Sequence, residues 1–332
     1  MSKHNPHGRY DAAEAEYIKV ASAGRFPESD RFDEATSIFL ARELQYVRRR
    51  VLEAPKAPLE AFQVFPVQTE VPAGAESAYQ RIYDAFGMAK IISNYADDLP
   101  RADVAAKEIP VKLRDVGAAY GYNVSEIRSA QFAGVNLPSM KARAARRSID
   151  ERLNAIAWKG DEKFGIIGFL NNPNITETDI AADGDGGKTA FSTKTVAQVI
   201  RDVNKIIQSI PNATNQIETA NTVLLAPDAY NHLATTPRSE HSDTTILEFL
   251  RRTHPEITRW MKVGALKGAG TDGSDLIIAG RFEPDYVKFE IPMRYNQLPV
   301  EIRNLEYVVN CMARVIGVTV TFPLAFVKTQ GV

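Results

Sequence analysis

The sequence predicts an α+β chain, on three observations: two long extended stretches around a polar segment, one long Ala- and Arg-rich helix, and a helix–strand alternation that gives way to a β-rich end. The extended stretches, Tyr79 to Ser93 and Pro110 to Val124, flank NYADDLPRADVAAKE, the arrangement of a long β-hairpin. The helix is Leu137 to Lys159 (LPSMKARAARRSIDERLNAIAWK). Pro138 falls in its first turn, Ile149, Leu153 and Ile156 recur at helical spacing, and Gly160 ends it. The alternation covers about Ser192 to Phe289, and from Arg294 onward β-formers dominate.

In chain order, residues 1 to about 32 are polar and broken by Pro6, Gly8, Gly24 and Pro27, which reads as an arm. Asp33 to Glu53 starts acidic, carries the stripe Leu40, Leu44, Val47, Val51 and closes near Arg48, Arg49 and Arg50. Acid first and base last suits the helix dipole, so one amphipathic helix is expected, stopped by Pro55 and Pro58. The hairpin region that follows is too thin to own a core, and an isolated two-stranded ribbon is marginal in water. It should therefore lie on something else, such as another subunit. Beyond Gly160, FGIIGFLNNPNI predicts a short apolar strand and an Asn/Pro turn, and AADGDGGK (Ala181 to Lys188) a Gly-rich loop. Then come an amphipathic helix over Thr193 to Ser209, a buried strand over Asn221 to Ala226 and helices over Pro227 to Ala234 and Thr245 to Arg252. Further strands are expected at Asp275 to Ala279, Tyr307 to Val309 and Val315 to Phe322.

Composition narrows the function classes. The 332 residues carry 40 Lys+Arg against 41 Asp+Glu, and 44% are hydrophobic, ordinary values for a globular protein and against disorder. A net charge of -1 argues against a dedicated nucleic-acid binder, so any DNA contact should be local and weak per subunit. One cysteine, Cys311, excludes an intramolecular disulfide and any four-cysteine metal site. No apolar run reaches the length of a membrane span, and MSKHNPHGRYDAAEAEY has no signal-peptide core, so a cytoplasmic product is expected.

Motifs for chemistry are sparse. GDGGKT (Gly184 to Thr189) ends like a phosphate-binding loop, but the position five residues before Gly187 is Ala182, and NITETDIA is no apolar strand aimed at it. A solvated turn is the better reading. The histidines, at 4, 7, 232, 241 and 254, form no ligand pair at helical spacing, and no GxSxG elbow occurs. Cys311, beside Val308, Val309 and Met312, reads as a small buried hydrophobe. No catalytic residue, cofactor or metal is therefore expected.

The order of segments, with several worded stretches, carries a resemblance. FLARELQYV (Phe39 to Val47), FPVQTEVPAGAES (Phe65 to Ser77), GFLNNPNI (Gly168 to Ile175), TVLLAPDAYNHLATTP (Thr222 to Pro237) and GVTVTFPLAFVKTQGV (Gly317 to Val332) resemble the major capsid proteins of tailed bacteriophages, with the Hong Kong 97-type capsid fold. The likeness implies an N-terminal arm over residues 1–60, a strand and extended E-loop hairpin over 61–136, and a peripheral domain with its spine helix over 137–189. It further implies an axial domain over 190–293 and C-terminal strands returning to the peripheral sheet over 294–332. The implied role is assembly as pentamers and hexamers into an icosahedral head around double-stranded DNA, in the virion, after synthesis in the bacterial host cytoplasm. Scaffolding, portal and decoration proteins are the implied partners, with scaffolding as a separate protein. Near-zero net charge suits dense packing of copies.

By the same likeness, one subunit's hairpin crosses the next subunit's peripheral domain. The tip (Asp97, Asp98, Asp103, Glu108 against Arg101 and Lys107) has a surplus of two negative charges. The spine helix (Lys141, Arg143, Arg146, Arg147, Arg152, Lys159 against Asp150 and Glu151) has four positive ones, so the two should meet between chains. Lys3, Arg9, Lys19, Arg48, Arg49 and Arg50 are the expected inner-surface DNA contacts. Certain relatives join a Lys to a neighbour's Asn; Lys90, Lys107 and Asn310 would be the participants, without a local pattern in support. An encapsulin shell, which shares the fold, and a soluble α/β NTPase using Lys188 and Thr189 are the alternatives, the second disfavoured by Ala182.

Overall fold

The computed structural model describes residues 55–86, 103–133, 136–239, 241 and 243–332. The expected helix at 33–53, the six expected DNA contacts, Lys90, Asp97 and Asp98 lie outside them. Residues from Pro58 onward form one compact unit, and the features below belong to it.

The long helix spans Leu137–Lys159, as its periodicity predicts. The Asn136 side chain accepts the Ser139 N–H at 3.3 Å to cap it, with Pro in the first turn. At the far end Gly160 has φ +69, and a Cβ there would meet the Ile166 carbonyl oxygen at 2.3 Å, so only glycine turns this corner. Its buried stripe, Ala145, Ile149, Leu153, Ile156 and Ala157, packs on a sheet ordered Met293–Gln297, Glu306–Val315, Glu301–Arg303, with Arg114–Asn123 along the other edge of Glu306–Val315. Trp158 joins Phe65, Phe169, Phe282 and Phe326 in an aromatic cluster with ring centroids 4.9–6.0 Å apart.

The hairpin differs from its sequence reading. Ser77–Phe86 pairs with Asp103–Lys112, in register from Ser77 against Lys112 to Phe86 against Asp103. The rest of the second stretch, Arg114–Asn123, leaves the hairpin and pairs with Glu306–Val315. One residue, buried Leu113, divides them, its N–H bonded to the Glu76 carbonyl. Two strands separated by a single residue look continuous in sequence, because the change of partner depends on a segment nearly two hundred residues away.

A five-stranded sheet runs Thr176–Asp179, Phe326–Gln330, Leu276–Gly280, Thr222–Leu225, Arg259–Lys262. Val223, Leu225, Ile277, Ala279 and Val327 face a core shared with the helices Val196–Ala213, Pro227–Thr235 and Ile246–Thr253. Their neighbours Leu224, Leu276, Ile278 and Phe326 join the other core, with the long helix. Both faces of the sheet are buried, and for that reason TVLLA and LIIAG are unbroken apolar runs rather than alternating ones.

The strands of the C-terminal segment divide among three sheets: Met293–Gln297, Glu301–Arg303 and Glu306–Val315 in the sheet under the long helix, Gly317–Val320 beside Val287–Glu290, and the last strand in the five-stranded sheet. Phe326–Gln330 lies inside the five-stranded sheet, between Thr176–Asp179 and Leu276–Gly280. Lys328 makes this possible. Buried at 3% exposure, it reaches the carbonyls of Leu170 at 2.7 Å and Asn172 at 3.4 Å, and Glu177, its partner across the strands, at 2.5 Å. A buried ammonium is tolerable only with such partners, and the LNN stretch of GFLNNPNI supplies two of them.

Candidate functional site

The long helix projects its cations toward acids of its own chain. Lys141 Nζ lies 2.8 Å from Glu126 and donates to the Gly121 carbonyl at 2.8 Å. Arg147 meets Glu151 at 2.7 Å, Arg146 meets Asp150 at 3.9 Å, and Arg152 pairs with Asp161. Arg143 is exposed on the same helix. Counting Glu126 and Asp161, the helix's surplus of four positive charges falls to two. Of the acids expected opposite, Glu108 is paired within its own hairpin, 2.7 Å from Arg81, and Asp103 accepts the Val104 N–H at 2.8 Å. The structure thus places the helix cations together on one element, with exposed pairs that are individually weak.

These pairs set an acid response. Hydrogen bonds from Lys141 and from the Asn123 N–H hold Glu126 below its ordinary 4.5. Arg201 and Lys194 hold Asp183 below 3.8, and Arg303 does the same for Glu301. A carboxylate whose folded pKa is depressed stabilises the fold above its unfolded value and loses that contribution as pH falls through the folded one. Burial raises Asp150, against the pull of Arg146, Arg147 and Arg294, and so acts in the opposite sense. The unfolding free energy should therefore fall as the pH drops below about 4.5, and Glu126→Gln should flatten that slope in urea titrations at stepped pH. An unchanged slope in the variant would show that the Lys141 pair contributes nothing in solution.

A buried charge cluster went unread in the sequence. Lys194, its side chain fully buried, bridges Asp202 at 2.5 Å, Asp183 at 3.1 Å and the Ala181 carbonyl at 2.6 Å. Arg201 meets both acids from the exposed side. The cluster ties the Gly-rich loop to helix Val196–Ala213. No local signal announces it, since Lys194 precedes a helix cap and Asp202 lies two turns into the helix. In the loop itself, the Gly184 N–H bonds the Lys188 carbonyl at 2.9 Å and the Gly187 N–H bonds the Gly184 carbonyl at 2.9 Å. The next long helix begins only at Val196, capped by Thr195 and Gln198. A phosphate loop needs free amides opening directly onto a helix, so GDGGKT is a closed turn.

Cys311 is buried, its Sγ 3.1 Å from the Tyr295 hydroxyl. His254 sits between Glu256 and Asn204, each 2.8 Å away, while burial lowers the His232 pKa. Among the described residues no three His, Cys, Asp or Glu side chains gather as a metal site, and no helix is long and apolar enough to cross a membrane.

What remains prominent is surface. Hairpin residues Tyr79, Tyr83 and Val104 are 60–65% exposed, and Leu298, Val300, Ile302 and Leu305 stand out at one end of the sheet beneath the long helix. Large apolar side chains grouped in the open mark interaction surfaces more often than catalytic ones. A family model described as major capsid protein matches residues 87–332. The chain belongs to the major capsid protein family.

Solved structures agree on the fold of this capsid protein. It is similar to the capsid of Myoviridae phage XM1, at TM-score 0.75 and 18% identity over 90% of this chain and 100% of that one. The capsid of an empty GTA particle follows at TM-score 0.59 and 11% identity, covering 87% and 96%. A Mycobacterium phage Ogopogo chain matches at 0.54 and 11%, covering 89% and 99%. No curated protein sequence matches the chain. The Hong Kong 97-type capsid fold is thus present.

Proposed function

We propose that this capsid protein assembles as pentamers and hexamers into an icosahedral head enclosing double-stranded DNA. The observation that carries the reading is the hairpin. Its substantial contacts among the described residues are between its own two strands, and a ribbon of that kind gains stability only when something covers it. In a capsid protein the cover is a neighbouring copy. Residues 1–60 serve as the arm and 190–293 as the axial domain. Asp97 and Asp98 meet the neighbour's Lys141, Arg143, Arg146, Arg147 and Arg152, with Asp103 and Glu108 alongside; the in-chain pairs of that helix make this contact a matter of register more than of affinity.

Lys3, Arg9, Lys19, Arg48, Arg49 and Arg50 face the packaged DNA, and their contact ignores base sequence. Scaffolding, portal and decoration proteins join the shell, and the subunits are made in the bacterial host cytoplasm. The test is electron microscopy with light scattering on purified protein across assembly concentrations, alone and with the products of neighbouring genes. Closed particles of uniform size are expected; a monomer that never associates overturns the proposal. DNA retained by the particles should be lost steeply as salt rises, and a base-sequence preference of the subunits in competition gel shifts would remove the DNA assignment.

A further inference from the structure

Helix Val196–Ala213 buries one face and leaves the other open. Val199, Val203, Ile206, Ile207 and Ile210 are buried, whereas Arg201, Lys205, Gln208 and Asn212 are exposed. These four recur every three or four residues, so they form one row over three turns, about 16 Å along the helix. Each can donate hydrogen bonds, and two are cations.

The row lines an open groove of about 960 Å³, to which Arg238 and Phe249 contribute from outside the helix. The Arg238 guanidinium lies 4.1 Å from the Phe249 ring centroid. Held on a ring face, a guanidinium keeps a fixed place and still offers its N–H groups. Asn204, also in the lining, turns its Oδ1 to His254 Nε2 at 2.8 Å, which leaves its amide donors for the groove. None of the described lining residues is acidic.

The charges of the neighbouring buried cluster cancel, since Lys194 and Arg201 are matched by Asp183 and Asp202. Lys205 and Arg238 have no acidic partner among the described residues. The groove is therefore a local positive surplus in a chain whose net charge is -1. A small anion would use one point of the row. An acidic protein segment would also want apolar cover, yet the aliphatic lining, Val196, Ala197 and Ile200, is gathered at the start of the helix. A phosphate chain takes cations and neutral donors alike, and about five phosphates of one strand, at a rise of about 3.4 Å each, pass along a 16 Å row. We infer that the groove along helix Val196–Ala213 is a contact for the phosphate backbone of double-stranded DNA, with Lys205 and Arg238 as its free cations. The inference rests on the shell-forming reading, which supplies the duplex, and adds a contact in the segment proposed as the axial domain.

Anisotropy of a fluorescent mixed-sequence duplex with dissociated full-length subunits, at stepped salt, tests it. Each phosphate-bound cation that is removed flattens the slope of log K against log salt by about 0.9, so Lys205→Gln with Arg238→Gln should flatten it by about 1.8 and weaken low-salt binding roughly ten-fold or more. The urea midpoint should not move, because both side chains are exposed. Lys163→Gln with Lys267→Gln removes the same charge outside the groove and should leave the slope unchanged. A parent that does not bind the duplex, an unchanged slope in the first pair, or equal flattening in the second would overturn the inference; the capsid reading stands if these proteins still form particles and falls with it if the parent never assembles. Polyglutamate of matched charge bound as tightly as the duplex would overturn it in favour of an acidic protein segment. Particles of the Lys205→Gln, Arg238→Gln chain should also release their DNA at lower salt than parent particles, and release at the same salt would place the groove away from the packaged DNA and sink the inference.

Discussion

Replacing Lys194 by methionine should lower the stability of the unassembled chain by about 3 kcal/mol, toward the lower end of the range for breaking a buried pair. The reason is what the ammonium leaves behind. Asp202 is 3% exposed and loses its 2.5 Å partner, and the Ala181 carbonyl loses a donor at 2.6 Å. Arg201 still meets Asp202 from the exposed side, which keeps the loss from being larger. The double variant Lys194→Met with Asp202→Leu should recover most of the stability, because two apolar groups in place of a buried pair leave no uncompensated charge. Urea midpoints below the assembly concentration measure all three proteins. Lys267→Met, which removes an exposed pair with Asp228 of similar length, is the control; if Lys194→Met moves the midpoint no further than it does, the cluster is not the structural tie described above.

Deleting the hairpin should separate folding from assembly. The Glu76 carbonyl already accepts the Leu113 N–H at 3.3 Å, so residues 77–112 can be replaced by a short Gly-Ser linker without moving either end. Closing a short loop between ends already in contact costs little, as loop entropy varies only slowly with length. Both cores lie outside the deleted segment. The shortened chain should unfold cooperatively near the parent midpoint while its particle yield falls at least a hundred-fold under conditions where the parent assembles. Particles of normal size from the shortened chain would mean that other surfaces, such as the exposed sheet end around Ile302 and Leu305, suffice for assembly.

Local patterning determined most of the elements. The helix Leu137–Lys159 agrees with its periodicity at both ends because its start and stop are local chemistry, an Asn–Pro entry and a glycine in a left-handed corner. The apolar runs at Thr222–Leu225 and Leu276–Gly280 declared themselves as strands for the same kind of reason, and the ordered set of segments was enough to indicate the capsid family. Strand partners were not legible. Arg114–Asn123 continues the hairpin in sequence yet belongs to Glu306–Val315, and Phe326–Gln330 parts from the strands just before it to lie inside another sheet. Pairing is a non-local choice, made by which faces can be buried together, and a sequence read in order carries no record of it. The same holds for charge. Lys194 and Lys328 look in sequence like any surface lysine, and Arg146 and Arg147 like free cations. Only the packed chain decides which ammonium is buried among carbonyls and carboxylates and which cation faces an acid on its own helix, because desolvation and pairing are properties of a position in space.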